Sequence, residues 1–210
     1  MTFDPETHKV TLVRGPAGVT DDLHVGGLGV EVNGEPCEHL TSASRHVFLH
    51  RSTGTVIKVA HQIRRASQCW GEFLMYHEVL DDEARALVPT VRGFGMCELD
   101  GQVWCWNAMD YVPTFRKGSR GRGVSKPMRA WRKHARTILE NNYGLWDLHE
   151  DNLAFTSDGV LTLVDLGIST SFHCMGRPTS EVVRRTLEGL KPEHVALLEL
   201  AFPTYTTYER

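Results

Sequence analysis

Asp147, Asn152 and Asp165 stand at spacings that suit one kind of chemistry. They lie in Tyr143-Gly-Leu-Trp-Asp-Leu-His-Glu-Asp-Asn-Leu-Ala-Phe155 and in Gly159-Val-Leu-Thr-Leu-Val-Asp-Leu-Gly167. The pattern predicts a polar loop reaching Asn152, then two short apolar strands around a turn at Ser157-Asp-Gly, the second ending at Asp165. All three side chains then fall at the mouths of neighbouring loops. Transfer of a phosphoryl group from ATP needs such a set. One carboxylate orients the attacking hydroxyl and accepts its proton, while an Asn and a second carboxylate hold magnesium through oxygen.

The elements that must position these residues divide the chain into a strand-rich first half and a more helical second half. Short strands are predicted at residues 10–14 and 30–33, with Gly26, Gly27, Gly29 and Gly34 as punctuation. A polar stretch, residues 40–46, leads into a hairpin of residues 47–50 and 55–60. From Gln62 to about Leu80, the residues Cys69, Trp70, Phe73, Leu74, Tyr76 and Leu80 share one helix face. Two strands, 91–98 and 103–112, are joined by Leu99-Asp-Gly-Gln, a strong hairpin turn. A loop rich in glycine and basic residues follows. Ser125 then caps a helix with Pro127 in its first turn and a stripe of Met128, Trp131, Ala135, Ile138 and Leu139. Helices are also predicted at 180–190 and 192–201. Lys58, flanked by apolar residues in a predicted strand, needs an anionic partner, which the following helix offers as Glu72 or Glu78.

The catalytic-loop segment resembles that of the protein-kinase and aminoglycoside-phosphotransferase superfamily. There an Asp is followed five positions on by an Asn, and thirteen positions later by the Asp of an Asp-Phe-Gly turn, as 147, 152 and 165 are here. Asp147-Leu-His-Glu-Asp-Asn is similar to the form seen in small-molecule phosphotransferases and in compact protein kinases of some bacterial viruses. The resemblance implies that Asp147 is the catalytic base and that Asn152 and Asp165 are the metal ligands. It also implies that Lys58, in Thr55-Val-Ile-Lys58-Val, contacts the α- and β-phosphates. Glu72 takes the position of that lysine's partner, Met109 closes the back of the adenine pocket, and backbone groups of Asp110 and Val112 meet the adenine edge. His149 packs or bonds within its loop. The sequence departs from the family in three places. Thr41, Ser42, Ala43 and Ser44 stand where the family has a glycine-rich phosphate loop, so their backbone amides and hydroxyls are the expected phosphate donors. Leu145 replaces the family's histidine. Only 45 residues follow Asp165, which implies a reduced activation segment and reduced substrate-docking helices.

Composition narrows the remaining classes. A chain of 210 residues with 41% hydrophobic and 23% charged residues accommodates one core or two small lobes. A net charge of -3 gives no global reason to expect nucleic acid or an anionic membrane. No apolar run reaches the roughly 18 residues of a membrane span. The acidic, non-greasy start MTFDPETHKV predicts a cytoplasmic protein, and five scattered cysteines predict reduced thiols. Against this background, residues 111–139 hold nine basic residues from Arg116 to Arg136 and no acidic one. This is a candidate docking surface for an acidic protein, with a phosphorylated segment or RNA as other occupants. Ser119 and Ser125 within it are candidate self-phosphorylation sites.

The expected fold is thus α+β, kinase-like and two-lobed, with a strand-rich lobe at 1–111 and a mainly helical lobe at 112–210. The expected activity is ATP- and magnesium-dependent phosphorylation of a hydroxyl, with Ser/Thr of a protein ahead of a small molecule. A non-catalytic pseudokinase that regulates a partner is the reading from another class.

Overall fold

The structure, a computed structural model, describes residues 2–15, 27–42, 45–61, 63–112, 126–140, 143, 152–155, 161–166 and 179–201. Its architecture is α+β. Three antiparallel sheets hold the strands: β1 (Val10–Arg14), β2 (Leu28–Val32) and β3 (Glu35–Pro36) in one; β4 (Glu38–Ser42), β5 (His46–His50), β6 (Thr55–Ala60), β7 (Val91–Leu99) and β8 (Gln102–Asp110) in the second; β9 (Leu153–Phe155) and β10 (Leu161–Leu163) in the third. The order across the five-stranded sheet is β4-β5-β6-β8-β7. Two hairpin turns are made where residues tolerate positive φ. Asp100 and Gly101 (φ 54° and 75°) join β7 to β8, and Asn33 and Gly34 (φ 51° and 81°) join β2 to β3.

Alternation along the central strands gives the sheet two different faces. Val47, Leu49, Val56, Ala60, Cys105 and Met109 lie on one side, in the same apolar core as helix α1 (Ile63–Leu74). Phe48, Ile57, Val59, Trp104, Trp106 and Ala108 lie on the other, packed with Val10, Leu12, Val30 and Val32 of the small sheet and with Phe3. The five-stranded sheet is therefore covered on both sides, and its central strand β6 is buried along its whole length. On α1, Cys69, Trp70, Phe73 and Leu74 are buried, as their helical spacing predicts, and Trp70 packs on Phe94 of β7 with ring centroids 4.7 Å apart. The helix continues as a π turn, Met75–Val79, closed by the bond from Leu80 N to Met75 O.

Some elements differ from expectation. Residues 40–42 belong to strand β4, the exposed edge of the sheet. With little burial on either side, such a strand carries no apolar alternation to betray it. Leu28 and Gly29, read as turn, begin β2. The short helix α2 (Asp82–Arg85) was not foreseen, although Asp81 caps it by accepting from Ala84 N at 2.9 Å. Helix α3 (Lys126–Ala135), which ends in a π turn at Arg136–Glu140, agrees with the predicted stripe in burying Ala135, Ile138 and Leu139. The last helices, α4 (Glu181–Gly189) and α5 (Pro192–Ala201), come from the helical second half yet pack against α1, β7 and the π turn of the first. Glu78 on that π turn accepts from Thr179 N and Oγ1 and from Ser180 N at 2.8 to 2.9 Å, which caps the start of α4. Among the described residues, Cys37, Cys69, Cys97 and Cys105 are free thiols, and no helix is long and apolar enough to cross a membrane.

His77, within the π turn, lies 3.0 Å through Nε2 from Val91 O and is held down to about 4, by burial first and with help from Arg85. Its folded pKa is below the unfolded value of about 6.5. The unfolded chain therefore binds this proton more readily, and stability is lost as pH falls from about 6.5 towards 4. We predict that the unfolding free energy drops on the order of 2 kcal/mol more between pH 7 and 4.5 in the parent than in His77→Asn. Denaturant titrations at both pH values measure the difference.

Candidate functional site

One row of side chains crosses the five-stranded sheet at the site. Thr41 pairs with Val47, Val47 with Lys58, Lys58 with Asn107 and Asn107 with Phe94, so these residues share a face, the one that looks towards α1. From α1, Glu72 meets this row with a side chain only 1% exposed. A bare carboxylate so deep would be costly, and every available donor turns to it. Lys58 Nζ donates to Oε1 at 2.9 Å and Oε2 at 3.2 Å. Asn107 Nδ2 donates to Oε2 at 2.7 Å, and Arg45 Nη2 to Oε1 at 2.8 Å. Leu166 N donates to Oε1 at 3.2 Å.

The same groups bracket Asp165. Lys58 Nζ donates to Val164 O at 2.8 Å on one side of it, and Glu72 takes Leu166 N on the other. Arg45 Nη2 donates to both carboxylate oxygens of Asp165 at 2.9 Å, while its Nη1 lies 2.8 Å from Glu72 Oε2. Two carboxylates and two cations thus form one compact, internally neutral cluster. Burial alone would lower the Arg45 guanidinium, but Glu72 and Asp165 beside it overcome that and hold it well above its ordinary value. Arg45 and Lys58 have side chains 4% and 6% exposed, whereas that of Asp165 is 32% exposed, so Asp165 is the member that meets the outside. Val164 N donates to Asn152 O at 2.8 Å, which ties the residue before β9 to the residue before Asp165.

The sequence-derived residues fare differently. Glu72, not Glu78, is the partner of Lys58; Glu78 caps α4 instead. Met109 is buried on the Lys58 face. Asp110 places its carboxylate on Arg92, at 2.7 and 2.8 Å, and commits its amide to Thr90 O. Val112 follows the end of β8. The Ser42 side chain faces away from Lys58. It pairs with His46, which pairs with Val59, so its hydroxyl lies on the face opposite Lys58, 2.7 Å from His46 Nδ1 and 2.8 Å from His39 Nε2. Thr41 keeps the Lys58 face. Ser44, Ser119, Ser125, Leu145, Asp147, His149 and Asp151 lie outside the described residues, as do residues 116–125 of the basic block. Asn107 is a central member that reading for motifs missed, although it had a signal, an amide two residues from Met109 in an otherwise apolar strand. Arg45 was expected only as the end of the phosphate-holding loop, residues 41–45, and nothing local announced its pairing with Glu72 and Asp165.

No protein-family model and no curated protein matches the chain.

Glu72→Gln keeps the shape but leaves two buried cations with one charged partner fewer. We predict a loss of about 3 to 5 kcal/mol in unfolding free energy. Glu78→Gln, on the same helical run but towards the surface, is expected to lose far less, and equilibrium urea unfolding of both variants compares them.

Proposed function

We propose that the protein is an ATP- and magnesium-dependent phosphotransferase of two-lobed, kinase-like fold, which transfers the γ-phosphate to a hydroxyl, Ser or Thr of a protein being favoured. The observation that carries this reading is the buried Lys58–Glu72 pair bonded to both neighbours of Asp165. A lysine fixed in that way beside an outward-facing carboxylate is suited to grip phosphates next to a metal site. Asn152 and Asp165 offer oxygen donors from adjoining segments, a donor set that fits magnesium, which takes few protein ligands and keeps water and phosphate oxygens for the rest.

In this reading magnesium supplies charge compensation for the transferring phosphoryl group. Lys58, held straight by Glu72, binds phosphate oxygens, and Asp165 with Asn152 holds the metal. Asp147 orients the acceptor and takes its proton. Met109 walls the adenine pocket, with the Asp110 carbonyl and Val112 facing the base. Exposed Lys133 and Arg136 on the helical run of α3 support an acidic protein as partner. A second reading, a non-catalytic protein of the same fold, is favoured by one observation: Arg45 covers Asp165 on both oxygens.

Incubation with γ-labelled ATP and magnesium, alone and with a cell extract, separates the two. We predict labelled protein with the parent, and a rate roughly 100- to 10,000-fold lower in Asp147→Asn with ATP affinity kept. A parent that binds ATP but neither transfers nor hydrolyses it contradicts the catalytic reading.

A further inference from the structure

The Arg45 guanidinium is placed where a site for phosphate and metal has most need of positive charge. It reaches Asp165 through Nη2 at 2.9 Å to each oxygen, the same nitrogen donates to Glu72 Oε1 at 2.8 Å, and Nη1 stands 2.8 Å from Glu72 Oε2 in an ion-pair contact without hydrogen-bond geometry. These two holds are not equal. Glu72 has Lys58, Asn107 and Leu166 N as further donors and is 1% exposed, whereas Asp165 is 32% exposed. Arg45 is also the first described residue after the short segment that stands in place of a glycine-rich loop, and it immediately precedes β5.

The charges decide what an incoming nucleotide would do. Arg45, Lys58, Glu72 and Asp165 sum to zero at rest. A divalent cation on Asp165 would face the Arg45 guanidinium across the same two oxygens, and like charges so close repel. The nucleotide's phosphates meanwhile bring several negative charges next to Lys58. A guanidinium is always charged, and its planar fork matches phosphate oxygens as well as carboxylate ones. We infer that Arg45 is a phosphate-binding residue of this site: at rest its guanidinium holds Asp165, and with nucleotide and magnesium it stays on Glu72 while the bonds that Nη2 gives Asp165 pass to the phosphate oxygens. This inference rests on the proposed nucleotide site. It assigns to one arginine side chain the grip that backbone amides of a glycine loop would otherwise provide, and it accounts for a phosphate segment without glycine.

The test uses the full chain, calorimetry with ATP and magnesium, with adenosine, and with Mn2+ alone, in the parent, Arg45→Met and Arg45→Lys. Loss of the fork should weaken ATP about 10- to 100-fold and leave adenosine, which has no phosphate, unchanged. Mn2+ alone should bind several-fold tighter to Arg45→Met, because its competitor for Asp165 is gone. If Arg45→Met does not fold, two measurements remain: Arg45→Lys, which keeps the charge without the fork and should still weaken ATP, and the Nε–Hε resonance of Arg45 in the labelled parent. That resonance should shift with ATP and magnesium and not with adenosine and magnesium. ATP affinity equal to the parent in a folded variant, or an unmoved Arg45 resonance at saturating ATP, overturns the role of Arg45 and leaves the proposed function standing. A parent that binds no ATP overturns both.

Discussion

A carboxylate cannot be left in an apolar core without donors on nearly every lone pair, and Glu72 meets that demand from four parts of the chain. Its partners are Arg45 just before β5, Lys58 on β6, Asn107 on β8 and the amide of Leu166 after β10. Each partner is already fixed by its own strand or segment. The demand therefore becomes a positional constraint on the helix, the sheet and the Asp165 segment together. Apolar packing is non-directional and would tolerate small slides between α1 and the sheet; this carboxylate would not. Buried ion pairs are seldom a net source of stability against an apolar alternative. The arrangement is better understood as a device that gives three elements one relative position and leaves Asp165 facing outward.

Around that point the sheet keeps two jobs apart. Its outer face is closed by the small β1–β3 sheet and is mostly apolar, with Trp104 and Trp106 among the buried side chains and the hydrogen-bonded His39, Ser42 and His46 towards the β4 edge. Its inner face carries Lys58 and Asn107 between apolar neighbours that anchor α1. A shift of one residue in the pairing of β5, β6 or β8 would move the charged row to the wrong face. That penalty couples the register of the central strands to the site. Helices α4 and α5 add support from behind, through Glu78 at the start of α4 and through Lys191 and Glu98, whose exposed pairing at 2.9 Å contributes far less than the packing of α5 on α1.

Much of this was legible from the residues because the signals were local. Val-Ile-Lys-Val in a buried strand demanded an anion, and the apolar face of α1 put Glu72 about one turn from Cys69 and Tyr76, within reach of it. Asp-Gly between two alternating runs placed the β7–β8 turn at Asp100 and Gly101, while the strands run 91–99 and 102–110 against the expected 91–98 and 103–112. What escaped was set by distance or by irregular pairing. The carboxylates of Arg45 lie 27 and 120 positions away in the chain, and no short window links them. The face taken by Ser42 depends on an irregularity in β4 between His39 and Thr41, which alternation alone does not reveal. The packing of α5 on α1 likewise follows from tertiary fit, since α5 has no marked apolar face, whereas α4 buries Val183 and Leu187 along one stripe of its own pattern.

We propose the buried cluster around Glu72 as the phosphate end of a nucleotide site. A crystal structure of the protein with a non-hydrolysable ATP analogue and magnesium tests it most directly. The account predicts phosphate oxygens within hydrogen-bond distance of Lys58 Nζ, with the Lys58–Glu72 pair retained and the metal on Asp165. An analogue seated elsewhere, with Arg45 still on both oxygens of Asp165 and no phosphate near Lys58, would contradict it.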